Sequence, residues 1–254
     1  MTARAPELRI IPIPLPDEIV PGDSITQKLM QAFAHQKFKL KSGDILVVKH
    51  KIVSKAEGRL VELATIKPSK TSIAWAKRYD LDARVTEVAL AESRRIVRRK
   101  RGVLITETHH GFICANSGVD VSNVNGGKHA LLLPEDPDRS ATRLHRELKK
   151  YSGISIPVII SDSFGRPWRE GLTEVAIGVA GMKSLHDYRS RRDSHGYPLR
   201  VSLEAVTDEL ASAAGLVCGK LERTPACIIR GFAYEKAKGS ARDLIRPAKT
   251  DLFR

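Results

Sequence analysis

The 254-residue chain has three cysteines, Cys114, Cys218 and Cys227, an odd number with no CxxC spacing. That argues against a disulfide framework or a zinc knuckle and fits a protein of the reducing cytoplasm. Aromatic residues make up only 5% of the chain, which weakens the case for a surface that stacks unpaired bases. No apolar run approaches the ~18 residues of a membrane span. The N-terminal stretch MTARAPELRIIPIPLPDEIVPGD has no apolar core ahead of a small-residue cleavage site, so no signal peptide is expected. Neither a GxxxxGK phosphate loop nor a GxGxxG turn after a strand occurs, so any nucleotide is held by a loop of another kind.

What is abundant is positive charge. Lys and Arg number 43 against 29 Asp and Glu, a net +14. Such an excess attracts anions, whether phosphorylated metabolites, nucleic acid or acidic membranes, and does not choose among them. At 42% hydrophobic and 28% charged, the composition is that of a globular protein. The length allows one large domain or two small ones.

LRIIPI reads as a short strand followed by a Pro- and acid-rich loop, and Asp23 or Ser24 is placed to cap a helix over SITQKLMQAFAHQ. Ile45 to Val48 reads as a buried strand. Residues 70–100 carry a long helical pattern, expected to be two helices, with the basic block Arg94–Arg101 at the end. GVLITET and HHGFICANSG suggest a hairpin turning near His110–Gly111. Arg139 to Tyr151 reads as a helix, VIIS and LTEVAIGVAG as strands, Lys183 to Pro198 as an exposed loop, LRVSLEAVTDELASAAGLVCGKL as strand then helix, and TPACIIRGF as a final strand. The order lacks a regular βαβ rhythm, so the class is α+β.

Two aspartates leave strand ends in similar ways: Asp120 after ICANSGV and Asp162 after VIIS. Carboxylates there, with Ser oxygens nearby, are the hard ligands that Mg²⁺ or Mn²⁺ prefers, although each could simply cap a turn. Arg166 and Arg169 follow Asp162, and guanidinium forks suit the charge that builds up in phosphoryl transfer; a surface salt bridge is the plainer use. KHKIVSKAEGR gathers Lys49, His50, Lys51, Lys55 and Arg59 at one strand exit, able to hold a triphosphate or to guard a solvated edge. The block Arg94–Arg101 suits nucleic acid or, more simply, a solvated helix end. Cys114 and Cys227 lie in apolar strands as small core residues.

Taken together and in order, GDILVVKHKIVSKAEGR, ICANSGVDVSNV, LLLPEDPD, VIISDSFGRPWREG, VAIGVAGMK, EAVTDELASAAGLVCGK and PACIIRGF resemble the coenzyme F420-0:L-glutamate ligase family, over roughly residues 8–232. The resemblance implies a single domain over 1–254 of two interleaved subdomains, a complex mixed-sheet α+β fold, an intertwined homodimer, and no fused reductase domain. It implies a cytoplasmic reaction in which GTP phosphorylates a carboxylate of the deazaflavin precursor F420-0. L-glutamate then attacks the acyl phosphate to give an amide. Divalent Mg²⁺ or Mn²⁺, two ions in all, and K⁺ as a monovalent activator go with it. Carried over residue by residue, the metal ligands fall on Asp120, Asp162 and Ser163, and the GTP contacts on Pro16, Asp17, Glu18, Ile19, His50, Lys51, Lys55 and Asn123. Arg166 and Arg169 become the catalytic cations.

Two features depart from the family pattern. His50–Lys51 replaces a pair of small hydroxyl residues, and Lys220, beside Gly219, stands where some members carry an acidic metal ligand. Three alternatives stand beside this expectation: a ligase for another amino acid, one for another acceptor, and a basic nucleic-acid binder on the same scaffold. The last is disfavoured, since binding a phosphate backbone needs no carboxylates. No membrane partner is expected.

Overall fold

Residues 7–122 and 125–252 are described by a computed structural model. Its centre is a five-stranded mixed sheet whose strands come from both halves of the chain. In spatial order these are β1 (Arg9–Ile13), β12 (Ala226–Arg230), β2 (Ile45–Lys49), β8 (Val158–Arg166) and β9 (Arg169–Ala180). β2 and β8 are parallel, and every other pairing is antiparallel.

The period of two along each strand sends alternate side chains to opposite faces. From β2, Leu46 and Val48 join Val158, Ile160 and Ile228 on one face. There they meet α1 (Ile25–His35), α2 (His50–Ala56) and α5 (Pro137–Ser152) through Leu29, Phe33, Val53, Leu144 and Leu148. Ile45 and Val47, with Ile159, Val179 and Cys227, face α6 (Val206–Cys218) through Leu210, Ala211 and Ala214. An apolar run buried on both faces is what a central strand requires.

The helix ends follow local chemistry. Ser24 caps α1, its hydroxyl accepting from Gln27 N at 3.3 Å. Asp136 caps α5, with Pro137 in its first turn and Gly153 closing it. Asp138 in that first turn accepts from the backbone of Val179 and Ala241, fastening the helix to the sheet.

A third cluster, Leu63, Val88, Ala130 and Leu132, lies under a smaller unit. It contains β3 (Leu60–Glu62), α3 (Lys70–Tyr79), α4 (Ala83–Ala91), β7 (His129–Leu131) and a three-stranded sheet of β4 (Ser93–Lys100), β5 (Val103–Thr108) and β6 (Ile113–Ala115). The β5–β6 hairpin turns at His109–Gly111, as its sequence suggests.

The basic block differs from expectation. Two helices do cover 70–91, but residues 93–100 form an edge strand instead of a helix end. Arginine is a good helix former, yet Ile96, the first of two adjacent β-branched residues, pairs with Thr106 of β5, and Val97 sits at a bulge beside it. Arg101 (φ 50) and Gly102 (φ 82) supply the two positive φ values of a tight hairpin turn. Residues 183–198 are mostly loop, as expected, apart from the two-residue β10 (His186–Asp187), which pairs with β11 (Leu203–Glu204). Among the described residues, no helix is long and apolar enough to cross a membrane.

Candidate active site

The parallel pair β2 and β8 ends at one place, with Lys49 in register with Ser161. In α/β sheets, ligands gather at the carboxyl ends of parallel strands, where the connections diverge. A cleft of about 560 Å³ opens at this point. Its walls are the 15–19 loop, the β2–α2 junction, Asp120 with Ser122, the middle of β8, Glu174 on β9, and the segment from Cys218 at the end of α6 to Pro225.

The chain turns directly from β2 into α2, so Lys49, His50, Lys51 and Lys55 enter the cleft from one short segment. The β2 exit is thus the middle of the sheet, not a solvated edge. His50 is buried; its Nε2 lies 3.2 Å from Asp162 Oδ1, and its Nδ1 lies 3.3 Å from Ser54 Oγ. Asp162 Oδ1 also accepts from the Ser163 amide at 2.7 Å.

Asp120 arrives by a different route. It follows three consecutive residues with positive φ, Asn116 (49°), Ser117 (56°) and Gly118 (71°). Such a run is costly and persists only when its surroundings fix it. Ser117 supplies the fixing: its amide donates to Thr106 Oγ1 at 2.9 Å and its hydroxyl to Ala89 O at 2.8 Å. A Cβ on Gly118 would come within 2.9 Å of Leu133. The backbone of Asp120 then pairs with Leu131, and its carboxylate meets Lys51 Nζ at 2.7 Å. Burial pushes the Asp120 carboxyl up, but the Lys51 ammonium and the Ser122 amide and hydroxyl outweigh it and hold the group below the usual carboxylate range.

Lys55 Nζ reaches Glu18 Oε1 at 2.7 Å, while the Glu18 side chain is 74% exposed. The hydrogen bond and charge of Lys55 lower the Glu18 carboxyl. Behind the cleft, burial, aided by the Asp162 charge, pushes the Cys114 thiol up to about 12. All three cysteines are free and buried. Cys218 lines the cleft, its thiol lowered by a hydrogen bond with Cys227 and by Lys49; the Cys227 thiol is raised by the same contact and by burial.

The cleft thus brings together Pro16, Asp17, Glu18, Ile19, His50, Lys51, Lys55, Asp120, Asp162 and Ser163. Asn123 lies outside the described residues. Arg166 and Arg169 pair with each other in register at the tip of the β8–β9 hairpin, exposed and away from the cleft walls. Arg166 there donates to Glu170 O at 3.3 Å. Sequence reasoning missed Ser161, Glu174, Arg223 and Thr224, which all line the cleft. The one available signal was a carboxylate, Glu174, in the otherwise apolar strand LTEVAIGVA.

Among the described residues, no three His, Cys, Asp or Glu side chains cluster closely enough to hold a metal by themselves. Two carboxylates and a hydroxyl are nonetheless a donor set suited to Mg²⁺, which commonly takes one or two carboxylates and completes its shell with phosphate oxygens and water.

Residues 14–231 match the family model described as F420-0:Gamma-glutamyl ligase. A coenzyme F420:L-glutamate ligase of Methanopyrus kandleri is 44% identical over 254 residues, covering 98% of each chain. Its namesake in Methanothermobacter thermautotrophicus is 43% identical over 92% of this chain and 93% of its own. That of Methanocaldococcus jannaschii is 43% identical over 85% and 87%. The chain belongs to the F420-0:gamma-glutamyl ligase family.

Proposed function

We propose that this protein is a ligase that joins L-glutamate through an amide bond to the deazaflavin precursor F420-0, using GTP and passing through an acyl phosphate. The observation that carries this reading is the meeting of Asp120, Asp162 and Ser163 with Lys51 and Lys55 in one cleft, in a chain whose relatives are named coenzyme F420:L-glutamate ligases. Both aspartates lie on its walls, although they come from separate parts of the fold; Asp162, expected at a strand end, lies inside β8, which runs on to Arg166.

In this reading Asp120, Asp162 and Ser163 hold divalent Mg²⁺ or Mn²⁺, with K⁺ as a monovalent activator. The divalent ions, when bound, neutralise phosphate charge as it builds up. The chain's own part is binding and orientation. Lys55 holds the nucleotide phosphates as a compact charge, with His50 and Lys51 beside it. The Glu18 carboxylate releases Lys55 at little cost, because an ion pair whose carboxylate stands in solvent contributes little. Lys51 and His50 fix the two aspartates in rotamers that face the cleft. The enclosing loops exclude water from the acyl phosphate, so that the amine of glutamate is the nucleophile it meets. The protein works in the cytoplasm as a homodimer.

Mass spectrometry of the product from F420-0, GTP, Mn²⁺ and L-glutamate tests the proposal. The expected product is heavier than F420-0 by one glutamyl residue, and GDP appears in equal amount. A product that forms equally well without GTP, or that carries another amino acid, overturns it.

A further inference from the structure

Glu174 lies on β9 directly across from Ser163 on β8. It is a buried carboxylate with three side-chain donors: Lys49 Nζ at 2.5 Å, Ser163 Oγ at 2.5 Å and Ser161 Oγ at 2.8 Å. Its own carbonyl accepts from Ser212 Oγ at 2.8 Å, which ties the strand to α6. A bulge between Ile160 and Ser161 sets the register that puts both serines on the side of this carboxylate and Asp162 on the other. Gly215 of α6 leaves the room it needs: a Cβ there would stand 2.7 Å from Glu174 Cγ. A buried carboxylate with this many dedicated partners orders its neighbours, because each donor is held in one rotamer and one direction.

The direction matters at Ser163. Its hydroxyl hydrogen is committed to Glu174 Oε1, so only lone pairs remain to face the cleft. A hydroxyl in that state, its hydrogen turned away toward Glu174, presents an acceptor oxygen to a hard cation. Lys49, held on the same oxygen, is likewise kept from swinging across to Asp162.

We infer that Glu174 is a positioning residue that works through Ser163, fixing its hydroxyl as a neutral oxygen ligand for the divalent ion. This rests on the reading of Ser163 as a metal ligand. Partners that orient a metal ligand typically contribute roughly 10- to 100-fold in metal affinity.

The test is a titration with Mn²⁺ alone, following free Mn²⁺ by electron paramagnetic resonance. It compares the wild type with Glu174→Gln, Ser163→Ala and the double variant, with thermal unfolding measured on each. Glu174→Gln is expected to weaken Mn²⁺ binding at least tenfold, and the Mn²⁺ concentration for half-maximal turnover should rise in step. The double variant should bind no more weakly than Ser163→Ala, since the two residues act as one unit. Gly215→Ala, which keeps the charge but displaces it, should weaken Mn²⁺ binding in the same direction. Binding within twofold of wild type in both Glu174→Gln and Gly215→Ala overturns the inference. So do losses that simply multiply in the double variant. If the wild type itself binds no Mn²⁺, the assignment of Ser163 falls, and the inference falls with it.

Discussion

Lys51 and Asp120 meet at 2.7 Å across the cleft, one from the first turn of α2 and the other from the far side of a strained Asn-Ser-Gly turn. The pair presents a carboxylate to the cleft with its second oxygen already oriented by Ser122. Asp162 stands in the same relation to His50. Removing either carboxylate should therefore remove an ion site and leave its partner, the Lys51 ammonium or the His50 imidazole, without that contact. Asp120→Ala and Asp162→Ala are each expected to lower kcat by about 100-fold or more, several kcal/mol of charge stabilisation. Steady-state rates at saturating GTP and Mn²⁺ check this. A kcat near that of the wild type in either variant removes that residue from the metal site.

Lys55 should matter for nucleotide and not for glutamate. Its partner Glu18 is itself exposed, in a loop anchored by the buried Leu15 and Ile19, so the ammonium is held at the cleft without being neutralised in a buried pair. A charged hydrogen bond to phosphate contributes roughly 1.5–3 kcal/mol. Lys55→Ala is expected to raise the KM for GTP by about tenfold or more and to leave the KM for glutamate unchanged. The reverse pattern would move Lys55 to the amino-acid side of the cleft.

Much of this was legible in the residues themselves, and the losses have physical causes. ILVV announces a strand buried on both faces, and Ser24 and the Asp-Pro-Asp start announce helix ends, because those signals are local. The grouping of Asp120, Asp162, Ser163 and the lysines was reached through the order of motifs, since nothing local joins residues so distant in sequence. Arg166 and Arg169 are near Asp162 in sequence but lie outside the cleft walls, because four residues of extended chain advance the backbone about 13 Å from Asp162. Glu174 stands out in sequence only as a carboxylate in an apolar strand, and only the cross-strand register puts it beside Ser163. The block at 94–101 was misread because arginine's helix propensity masked Ile96–Val97 and the Arg101–Gly102 turn.

Asp208 gives a pH test outside the cleft. It lies in the first turn of α6 and accepts from the Ala176 amide at 2.8 Å. Burial raises its carboxyl above the usual range, partly offset by that hydrogen bond. A raised carboxyl means that the folded state holds its proton more tightly than the unfolded chain does. Stability from this group is therefore present at low pH, and it declines as pH rises from about 3.9 through the folded value. Asp208→Asn keeps an acceptor for Ala176 and removes the charge. Its stability relative to wild type should grow between pH 3 and pH 6 and then level off, read from urea unfolding at each pH. A difference that shrinks over that interval would mean that the ionised form is the favoured one.

The basic strand calls for a different kind of experiment. β4 is the outer strand of its sheet, so its far edge offers unpaired backbone groups to another chain. Arg94 and Arg95 both reach Glu107 on β5, at 3.5 and 2.8 Å, and so belong partly to the sheet's own pairing. Arg98, Arg99 and Lys100 are exposed, beside an exposed Ile96. Charge there keeps a β-branched edge from pairing with a second copy, and it lies outside the walls of the cleft. Neutralising Arg98, Arg99 and Lys100 to Gln should leave kcat unchanged at saturating substrate. Any fall in kcat/KM should shrink with added salt, as a steering effect must. Self-association, followed by sedimentation at rising protein concentration, should extend beyond the wild type's own state. Added salt should move the wild type in the same direction by screening the charges. Loss of turnover in high salt by a folded triple variant would instead place the strand in the active site. Binding of duplex DNA at physiological salt, present in the wild type and absent in the variant, would make the strand a nucleic-acid contact.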